Sequence, residues 1–506
     1  MPVARKGNKL FIETQMVNNF ILAISRAGKT EILIIPTIDI LSRAKIKTSM
    51  IILDVKGEIS RATVPMLLDR SYEVVIYDFL DFMHTNFFNP FNAVVEAFKA
   101  GRFDDAEELS AAFAYTQVKE ANTDRLWVDA PRSLLVALIL ALCEDCIESG
   151  MEEKVSPYSA FVLMNVLNSK TKSGANDKPL DNFFNSRPPT NSARLAYSTV
   201  SVAEGKTRSS ILGILISAMD IYRRPNVAKM TSKNDFRLED IGFGEKPVAV
   251  FLRMPFHTRT YDAVVSTFLS QAFYLNMDMA AKTNNGKCKR PVRVEADEMF
   301  NIPAIDAMDN KISVGLGANW AWALVAQSMA QVENVYGKDV GKIIMDNCAT
   351  VYFISSPSKE NREFISEMAG NETIINATRT GTALGLEKQF TETFEKEEVL
   401  PAQELTELTE GEMFVFPTLH RRDLQGNPVI PKPILNKGEN AMKFRYQYLP
   451  ELDPDEPIPY GRLKIDAGAM KSINLEELVY LPGKDDYVPN NKSNQTVESV
   501  LKPTII

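Results

Sequence analysis

Histidine and cysteine are scarce in this chain of 506 residues, which contains three histidines and four cysteines. His84, His257 and His420 lie far apart and form no metal-binding or catalytic-triad motif. Cys143 and Cys146 form a C-x-x-C pair with no second ligand pair nearby, so packing in a helix explains them better than metal or redox chemistry. The low cysteine content excludes a disulfide-rich secreted fold and indicates a reducing compartment.

Long apolar runs and an excess of positive charge are also missing. The longest wholly apolar run, Leu134–Cys143, is about half as long as a segment that crosses a bilayer. The N-terminus has basic residues but no apolar run behind them, as a secretory signal would require. We therefore expect a cytoplasmic protein without a transmembrane segment. The net charge of −8 argues against a protein that coats duplex DNA over its whole surface, so any charge that contacts DNA must be local.

The apolar content of 45% and charged content of 24% are typical of a globular protein of two or three domains. Continuous apolar runs at Ser49–Asp54 and Glu73–Asp78 each end in a carboxylate, which predicts strands buried on both faces of a parallel sheet. Further strands are predicted at Pro247–Leu252, Ala321–Ala326, Ala349–Ile354 and Glu412–Pro417, and at the apolar-leaning segment Val292–Ala296. Helical periodicity fills the interval between the two groups of strands. The predicted fold class is α/β, with the α/β domain interrupted by an all-α insertion.

These patterns divide the chain into four parts. Residues 1–91 and 241–449 form the two parts of a nucleotide-binding domain, and residues 92–240 form an all-α domain. Within the latter, residues 169–190 are rich in Lys, Ser, Asn and Pro, which predicts a loop. Residues 450–506 form an acidic tail with little periodicity, which we expect to be extended and poorly packed.

A phosphate-binding loop is predicted at Ala23–Thr30, which reads A-I-S-R-A-G-K-T between an apolar strand and an apolar segment. In such a loop, backbone N–H groups and a helix N-terminus surround the phosphates, Lys29 reaches the terminal phosphates, and the Thr30 hydroxyl is a ligand of Mg²⁺. The predicted nucleotide-binding residues of this loop are Ser25, Arg26, Ala27, Gly28, Lys29 and Thr30. The alternative is an ordinary turn between a strand and a helix.

Paired carboxylates follow the strand Val292–Ala296. In P-loop ATPases the first carboxylate, here Asp297, holds Mg²⁺ through water, and the second, here Glu298, polarises the attacking water. We expect their strand to lie beside the strand of the phosphate loop, with both carboxylates at its carboxyl end. The alternative is that Asp297 and Glu298 cap the next helix.

Two further polar residues end buried strands. Gln327 follows Leu324-Val325-Ala326 and could sense the terminal phosphate or the attacking water; a polar residue at a strand exit is the alternative. Asp54 begins the segment D-V-K-G-E, where a substrate-positioning or structural role and an ordinary polar turn both remain open.

The order of these motifs resembles the TraG/VirD-like family of type IV secretion coupling proteins, ATPases that hand conjugative DNA to a secretion channel. The resemblance covers about residues 18–449. The matching segments are Ser49–Ile59 (family D-P-K-G-E, with Val55 for Pro), Phe88–Phe91, Asp124–Trp127, Asp297–Ile302 (family D-E-F-x-N-I), Ala326–Ser328 with Gln331 and Tyr336-Gly337, Ile365–Gly370, and Leu400–Gly411.

The resemblance implies a RecA-like P-loop ATPase that uses ATP and Mg²⁺, with Lys29, Asp297, Glu298 and Gln327 catalytic, Asp54 near the nucleotide, and Thr30 with Asp297 at the metal. The implied partners are single-stranded DNA, relaxase and relaxosome proteins, type IV secretion channel ATPases and further copies of the chain in a homo-hexamer. Two other functions remain open. One is a recruitment adaptor for relaxosome proteins with a weak nucleotide site, and the other is an FtsK-type DNA translocase.

The chain departs from the family pattern in three respects. Ala23 and Arg26 stand where the phosphate loop usually has glycine. No arginine lies in the segment Gly315–Asn319, where the family usually has its arginine finger, and Lys311 is the nearest cation. Family members usually begin with two membrane-spanning helices, which this sequence lacks, so we expect attachment to the inner face of the cell membrane through a membrane-anchoring partner.

Overall fold

The structure, a computed structural model, describes residues 1–118, 124–168, 179–255, 257–380, 389–419, 421–422, 426–429 and 431–482. Its strands are β1 Pro2–Lys6, β2 Lys9–Ile12, β3 Asn19–Ala23, β4 Ser49–Asp54, β5 Glu73–Asp78, β6 Val248–Arg253, β7 Val292–Ala296, β8 Trp320–Ala326, β9 Thr350–Ser355, β10 Asn371–Thr380, β11 Gln389–Glu398, β12 Met413–Pro417, β13 Arg421–Arg422, β14 Pro428–Val429 and β15 Ile434–Asn436.

Helices occupy both the intervals between strands and the long interval between β5 and β6. They are α1 Ile35–Arg43, α2 Glu58–Asp69, α3 Asn92–Lys99, α4 Phe103–Gln117, α5 Leu126–Glu148, α6 Pro157–Asn168, α7 Pro179–Asn185, α8 Ser192–Ser201, α9 Gly205–Ala218, α10 Pro225–Met230, α11 Asp240–Phe243, α12 Asp262–Ala281, α13 Met308–Gly315, α14 Met329–Tyr336, α15 Lys338–Asp346, α16 Lys359–Ala369 and α17 Ala469–Ser472. A π-helical turn, Thr30–Ile34, leads directly into α1.

A nine-stranded sheet with the order β15-β12-β9-β3-β8-β7-β4-β6-β5 forms the centre of the α/β part. The seven strands from β9 to β5 are parallel, whereas β12 and β15 pair antiparallel at one edge. Alternate residues of a strand enter different apolar clusters: Phe20 and Leu22 belong to one, and Ile21 belongs to the other. Because both faces are covered, these strands are continuous apolar runs in the sequence.

The predicted parallel sheet is confirmed, and β4, β5 and β7 have the bounds expected from their apolar runs. One expectation about strand order is wrong. The carboxylate strand β7 does not lie beside the phosphate-loop strand β3, because β8 pairs with both and separates them. This order places the residues that follow β8, beginning with Gln327, between the two motifs at the carboxyl edge of the sheet.

The described secondary structure between β5 and β6 is entirely helical and includes α3 to α11. The domain limits at residues 91, 240 and 449 stay a prediction. The helix α5 is long and apolar enough to cross a membrane by length and composition, yet 72% of its most apolar stretch is buried inside the protein. Cys143 and Cys146 are both buried within this helix. The predicted loop at 169–190 contains α7, and residues 169–178 lie outside the described part of the chain.

Residues 450–482 of the predicted tail make some packing contacts with the rest of the protein, and the poorly packed tail as a separate part of the chain stays a prediction. Leu452, Ile458 and Met470 are buried, and the Tyr460 hydroxyl accepts a hydrogen bond of 2.8 Å from Arg253 at the end of β6. The segment has almost no regular secondary structure, so its apolar residues follow no period that the sequence could reveal. Residues 483–506 of the predicted tail lie outside the described residues.

Lys287, Lys289, Arg290 and Arg293 form a short basic cluster in the sequence, but Arg293 is not at the surface with the others. Arg293, the second residue of β7, is buried, where it pairs with Glu295 and donates a hydrogen bond of 2.6 Å to Asn19. All five residues of β7 are buried, so both faces of the strand are covered. Arg293 is thus unavailable to contact DNA.

Candidate functional site

The phosphate loop connects the buried end of β3 to the helical turn that begins at Thr30. Gly28 has φ +82°, a left-handed conformation that favours glycine, and the N–H groups of Glu31 and Ile32 bond its carbonyl at 3.0 Å. Arg26 adopts φ 68° although it is not glycine. Arg26 and Ala23 both stand where glycine is usual in a phosphate loop. Arg26 therefore takes a backbone conformation that disfavours a side chain, whereas Ala23 is the last residue of the buried strand β3.

We expect Arg26→Gly to be more stable than Arg26→Ala by about 1 kcal/mol, because a Cβ atom is unfavourable in the left-handed conformation. Both variants remove the exposed arginine side chain, so their difference isolates the backbone. Urea denaturation of the two proteins measures it. Equal free energies of unfolding, or a more stable alanine variant, would show that Arg26 is not strained.

Lys29 and Asp297 meet across the sheet although their strands are not neighbours. The Lys29 Nζ lies 3.0 Å from Asp297 Oδ1 and donates a hydrogen bond of 3.2 Å to the Asp297 backbone carbonyl. Their side chains are only 8% and 13% exposed. Asp297 Oδ1 is buried, and among the described residues its polar contact is the ion pair with Lys29.

A cavity of about 400 Å³ opens at this place. Most of the predicted site residues line it, namely Ser25, Arg26, Gly28, Lys29, Thr30, Asp54, Asp297 and Glu298. Two predicted residues, Ala27 and Gln327, are not among its lining residues. The Ala27 N–H donates to the carbonyl of Ile24 at 3.3 Å, which tightens the turn before Gly28.

Gln327 is connected to Glu298 through a chain of hydrogen bonds. Asn301 Nδ2 donates to Glu298 Oε2, and Asn301 Oδ1 accepts from Gln331 Nε2 at 2.8 Å. Gln331 Oε1 in turn accepts from the backbone N–H of Gln327 at 3.0 Å. The end of β8 is thereby linked to the second carboxylate, with the Gln327 backbone as the linking group. The predicted sensor role of the Gln327 side chain stays a prediction.

Asp54 is buried at the end of β4, where its carboxylate accepts hydrogen bonds from the backbone N–H groups of Ile59 and Ser60 at 3.3 and 2.7 Å. Burial raises the pKa of this carboxyl, and the bonds from Ser60 and the charge of Arg253 oppose that rise. Asp54 thus holds the first turn of α2 against the cavity. Gly57, with φ +73°, has no room for a side chain, since a Cβ there would lie 2.6 Å from the Arg253 guanidinium.

Lys311 does not present an exposed cation in place of an arginine finger. Its side chain is 11% exposed and donates to the backbone carbonyl of Asp306. Burial lowers the pKa of this amine. Lys311 is therefore not free to take the place of an arginine finger at a neighbouring site.

The segment D-V-K-G-E, singled out in the sequence, adds Val55, Lys56 and Glu58 to the cavity lining, and Ile59 follows it. The sequence reasoning missed Glu31, Phe444 and Tyr446. Glu31 directly follows Thr30, so its position could have been predicted from the neighbouring motif. Phe444 and Tyr446 lie far from every motif in the chain, and no local pattern predicts their arrival at the phosphate loop.

Two curated proteins are similar to part of this chain. The chain is 30% identical over 182 residues to an uncharacterised protein of Bacillus anthracis, covering 35% of this chain and 66% of that protein. It is 24% identical over 189 residues to the conjugal transfer protein TraG of Escherichia coli, covering 35% of this chain and 29% of TraG. The matches thus span less than two thirds of either relative.

Solved structures of the bacterial conjugative coupling protein TrwB have the same fold. The TrwB complex with the non-hydrolysable ATP analogue ADPNP has a TM-score of 0.58 at 13% identity, covering 88% of this chain and 92% of TrwB. The TrwB complex with ADP and Mg²⁺ has a TM-score of 0.58 at 14% identity, covering 86% and 91%. This likeness confirms the predicted RecA-like P-loop fold.

The family described as Type IV secretory system Conjugative DNA transfer matches residues 4–417. This range contains the phosphate loop, both carboxylates and all the helices from α1 to α16. It confirms the resemblance that the order of the sequence motifs predicted. The chain belongs to the conjugative DNA-transfer family of type IV secretory systems, the family of the coupling proteins.

Proposed function

We propose that this protein is an ATP-driven coupling protein, which recruits conjugative DNA with its relaxosome and delivers it to a type IV secretion channel. The observation that carries the proposal is the convergence of Lys29, Asp297 and Glu298 on one cavity at the carboxyl edge of a parallel sheet. Parallel α/β sheets bind their ligands at this edge. Membership of a DNA-transfer family supports the coupling role.

The residues around the cavity fit a nucleotide with Mg²⁺. The loop offers backbone N–H groups at a helix start, a glycine with φ +82°, a lysine and a threonine hydroxyl, which together suit phosphate. The Thr30 hydroxyl and the Asp297 carboxylate, which faces Lys29 at the cavity, are oxygen donors of the kind that Mg²⁺ prefers. When bound, Mg²⁺ would neutralise part of the phosphate charge.

The protein groups divide the chemistry between them. Lys29 would exchange its contact with Asp297 for the terminal phosphates of the nucleotide and stabilise their charge. Glu298, held by Asn301, would orient and polarise the attacking water. Because Asn301 is bonded to Gln331 and through it to the end of β8, movement of that strand end would move Glu298.

The proposed partners follow from the coupling role. They are single-stranded DNA, relaxase and relaxosome proteins, the secretion channel ATPases, a membrane-anchoring protein and further copies of this chain in a homo-hexamer. We place the protein in the cytoplasm at the inner face of the membrane, held there by the anchoring partner. The net charge of −8 implies that the DNA-contacting charge is confined to a small area.

A recruitment adaptor with a weak nucleotide site is the second candidate. The observation that favours it is Arg26, which occupies a left-handed position where glycine is usual and makes the phosphate loop costly to form. In this alternative the helical region binds relaxosome proteins and the cavity binds nucleotide weakly.

Nucleotide titration with single-stranded DNA separates the two functions. For a coupling ATPase we expect measurable binding of Mg–ATP and hydrolysis that depends on Mg²⁺. We also expect single-stranded DNA to increase the rate of hydrolysis, because ATP hydrolysis would be coupled to DNA transport. Isothermal titration calorimetry and phosphate release measure these quantities, and an ATP sample with EDTA is the control. Absence of any binding with Mg²⁺ present would favour the adaptor.

A further inference from the structure

One wall of the cavity comes from a part of the chain beyond the family match. Residues 4–417 match the family, whereas two residues of the cavity lining lie beyond this range. Phe444 directly precedes the short 3₁₀ helix Arg445–Gln447, and Tyr446 is the middle residue of this helix. Both side chains are aromatic, while the rest of the cavity is lined mainly by polar and charged residues. The two rings thus form a chemically distinct wall of the cavity.

The Phe444 ring lies directly against the phosphate loop. A Cβ atom added to Gly28 would lie 3.0 and 3.1 Å from the Phe444 Cε1 and Cζ atoms. The ring of Tyr446 is 5.6 Å from that of Phe444, centroid to centroid, with an angle of 37° between the planes. Tyr446 is 55% exposed and therefore stands at the rim, whereas Phe444 is half-buried beside the loop.

A buried ion pair fixes this wall to the helix that follows the loop. Arg445 is 5% exposed and donates from Nε and from a terminal nitrogen to the two carboxylate oxygens of Glu31, at 3.0 and 3.1 Å. Glu31 is adjacent to Thr30, so the guanidinium clamps the wall to the start of the helix. A hydrogen bond of 3.1 Å from the Phe444 N–H to Gln447 Oε1 holds the backbone of the turn. The aromatic rings are thereby held in place without a ligand.

We propose that Phe444, with Tyr446 at the rim, is the platform on which the base of the bound nucleotide stacks. This inference rests on the proposed nucleotide function of the cavity. The phosphate loop recognises only the charged end of a nucleotide, and a flat π-face beside it is the group that binds a base. Stacking tolerates any base because every base has a π-face, so the platform takes nucleoside triphosphates and does not by itself distinguish one base from another.

Comparison of a nucleotide with its phosphate chain alone tests the platform. We expect Phe444→Ala to weaken binding of Mg–ADPNP by about tenfold, which is the order of affinity that one stacked base contributes. Binding of Mg–tripolyphosphate, which has no base, should be unchanged. Phe444→Tyr, which keeps an aromatic ring, should bind Mg–ADPNP as the wild-type protein does. Tyr448 is an exposed tyrosine of the same segment that does not line the cavity, so Tyr448→Ala should also bind as wild type.

The outcomes separate this inference from the function on which it rests. If Phe444→Ala weakened the binding of Mg–ADPNP and of Mg–tripolyphosphate equally, the proposed platform would be refuted, because the ring would then only support the phosphate loop. An unchanged affinity for Mg–ADPNP would overturn it as well, while the proposed function would stand if Lys29→Ala abolished binding. If the wild-type protein bound neither ligand, the proposed function and the platform would both be refuted.

Discussion

Lys29→Ala is expected to reduce Mg-dependent ATP hydrolysis by at least about 100-fold and to weaken nucleotide binding. Lys29 Nζ lies inside the cavity, 3.0 Å from Asp297 Oδ1, and its side chain is only 8% exposed. A cation in such a poorly solvated place interacts strongly with phosphate, and no other cation of the loop has the same position. Phosphate release and calorimetric titration measure the two effects.

The control is Lys45→Ala, which removes an exposed lysine of the same α/β part outside the cavity. We expect it to be as active as the wild-type protein. Loss of Lys29 also leaves the Asp297 carboxylate without its ion-pair partner, so thermal denaturation of the variant is needed to show that it remains folded. A folded Lys29→Ala protein with wild-type hydrolysis would refute the assignment of the cavity.

Glu298→Gln is expected to reduce the rate of hydrolysis by about 1,000-fold while nucleotide binding changes little. Glutamine has the shape of glutamate, and its amide oxygen can still accept the hydrogen bond from Asn301 Nδ2. A neutral amide cannot polarise the attacking water as a carboxylate does, so the loss falls on kcat rather than on binding. Single-turnover hydrolysis and nucleotide titration separate these quantities.

Glu58→Gln is the matched control, because Glu58 also lines the cavity but lies at the start of α2, away from the carboxylate strand. We expect this variant to hydrolyse ATP at nearly the wild-type rate. If instead Glu298→Gln remained active and Glu58→Gln lost activity, Glu58 would be the group that activates water.

The strands of the sheet could be predicted closely because their evidence is local. A strand buried on both faces is apolar at most positions, and β4 contains a continuous apolar run of this kind. β7 has two charged residues, Arg293 and Glu295, which form an ion pair inside the protein. The proximity of Lys29 and Asp297 was also predictable, since carboxyl ends of parallel strands meet at one edge. The position of β8 between β3 and β7 was not, because strand order depends on pairing between distant segments.

Arg26 and Arg293 illustrate what a one-letter sequence hides. The backbone of Arg26 takes a conformation that its residue type disfavours, which only the surrounding structure can impose. Arginine is a residue type that is usually exposed, but the sheet around Arg293 buries its charge beside Glu295 and Asn19. In both cases the tertiary environment outweighs the local preference.

By itself the sequence determined the class of fold, the phosphate loop and the two carboxylates, because each depends on residue types within a few positions of one another. Only the tertiary structure decided that the Gln327 backbone is linked to Glu298 and that Tyr460 contacts Arg253 at the end of β6. It alone also placed Phe444 against Gly28. These contacts join residues far apart in the chain, and packing between such residues follows shape and burial rather than any period in the sequence.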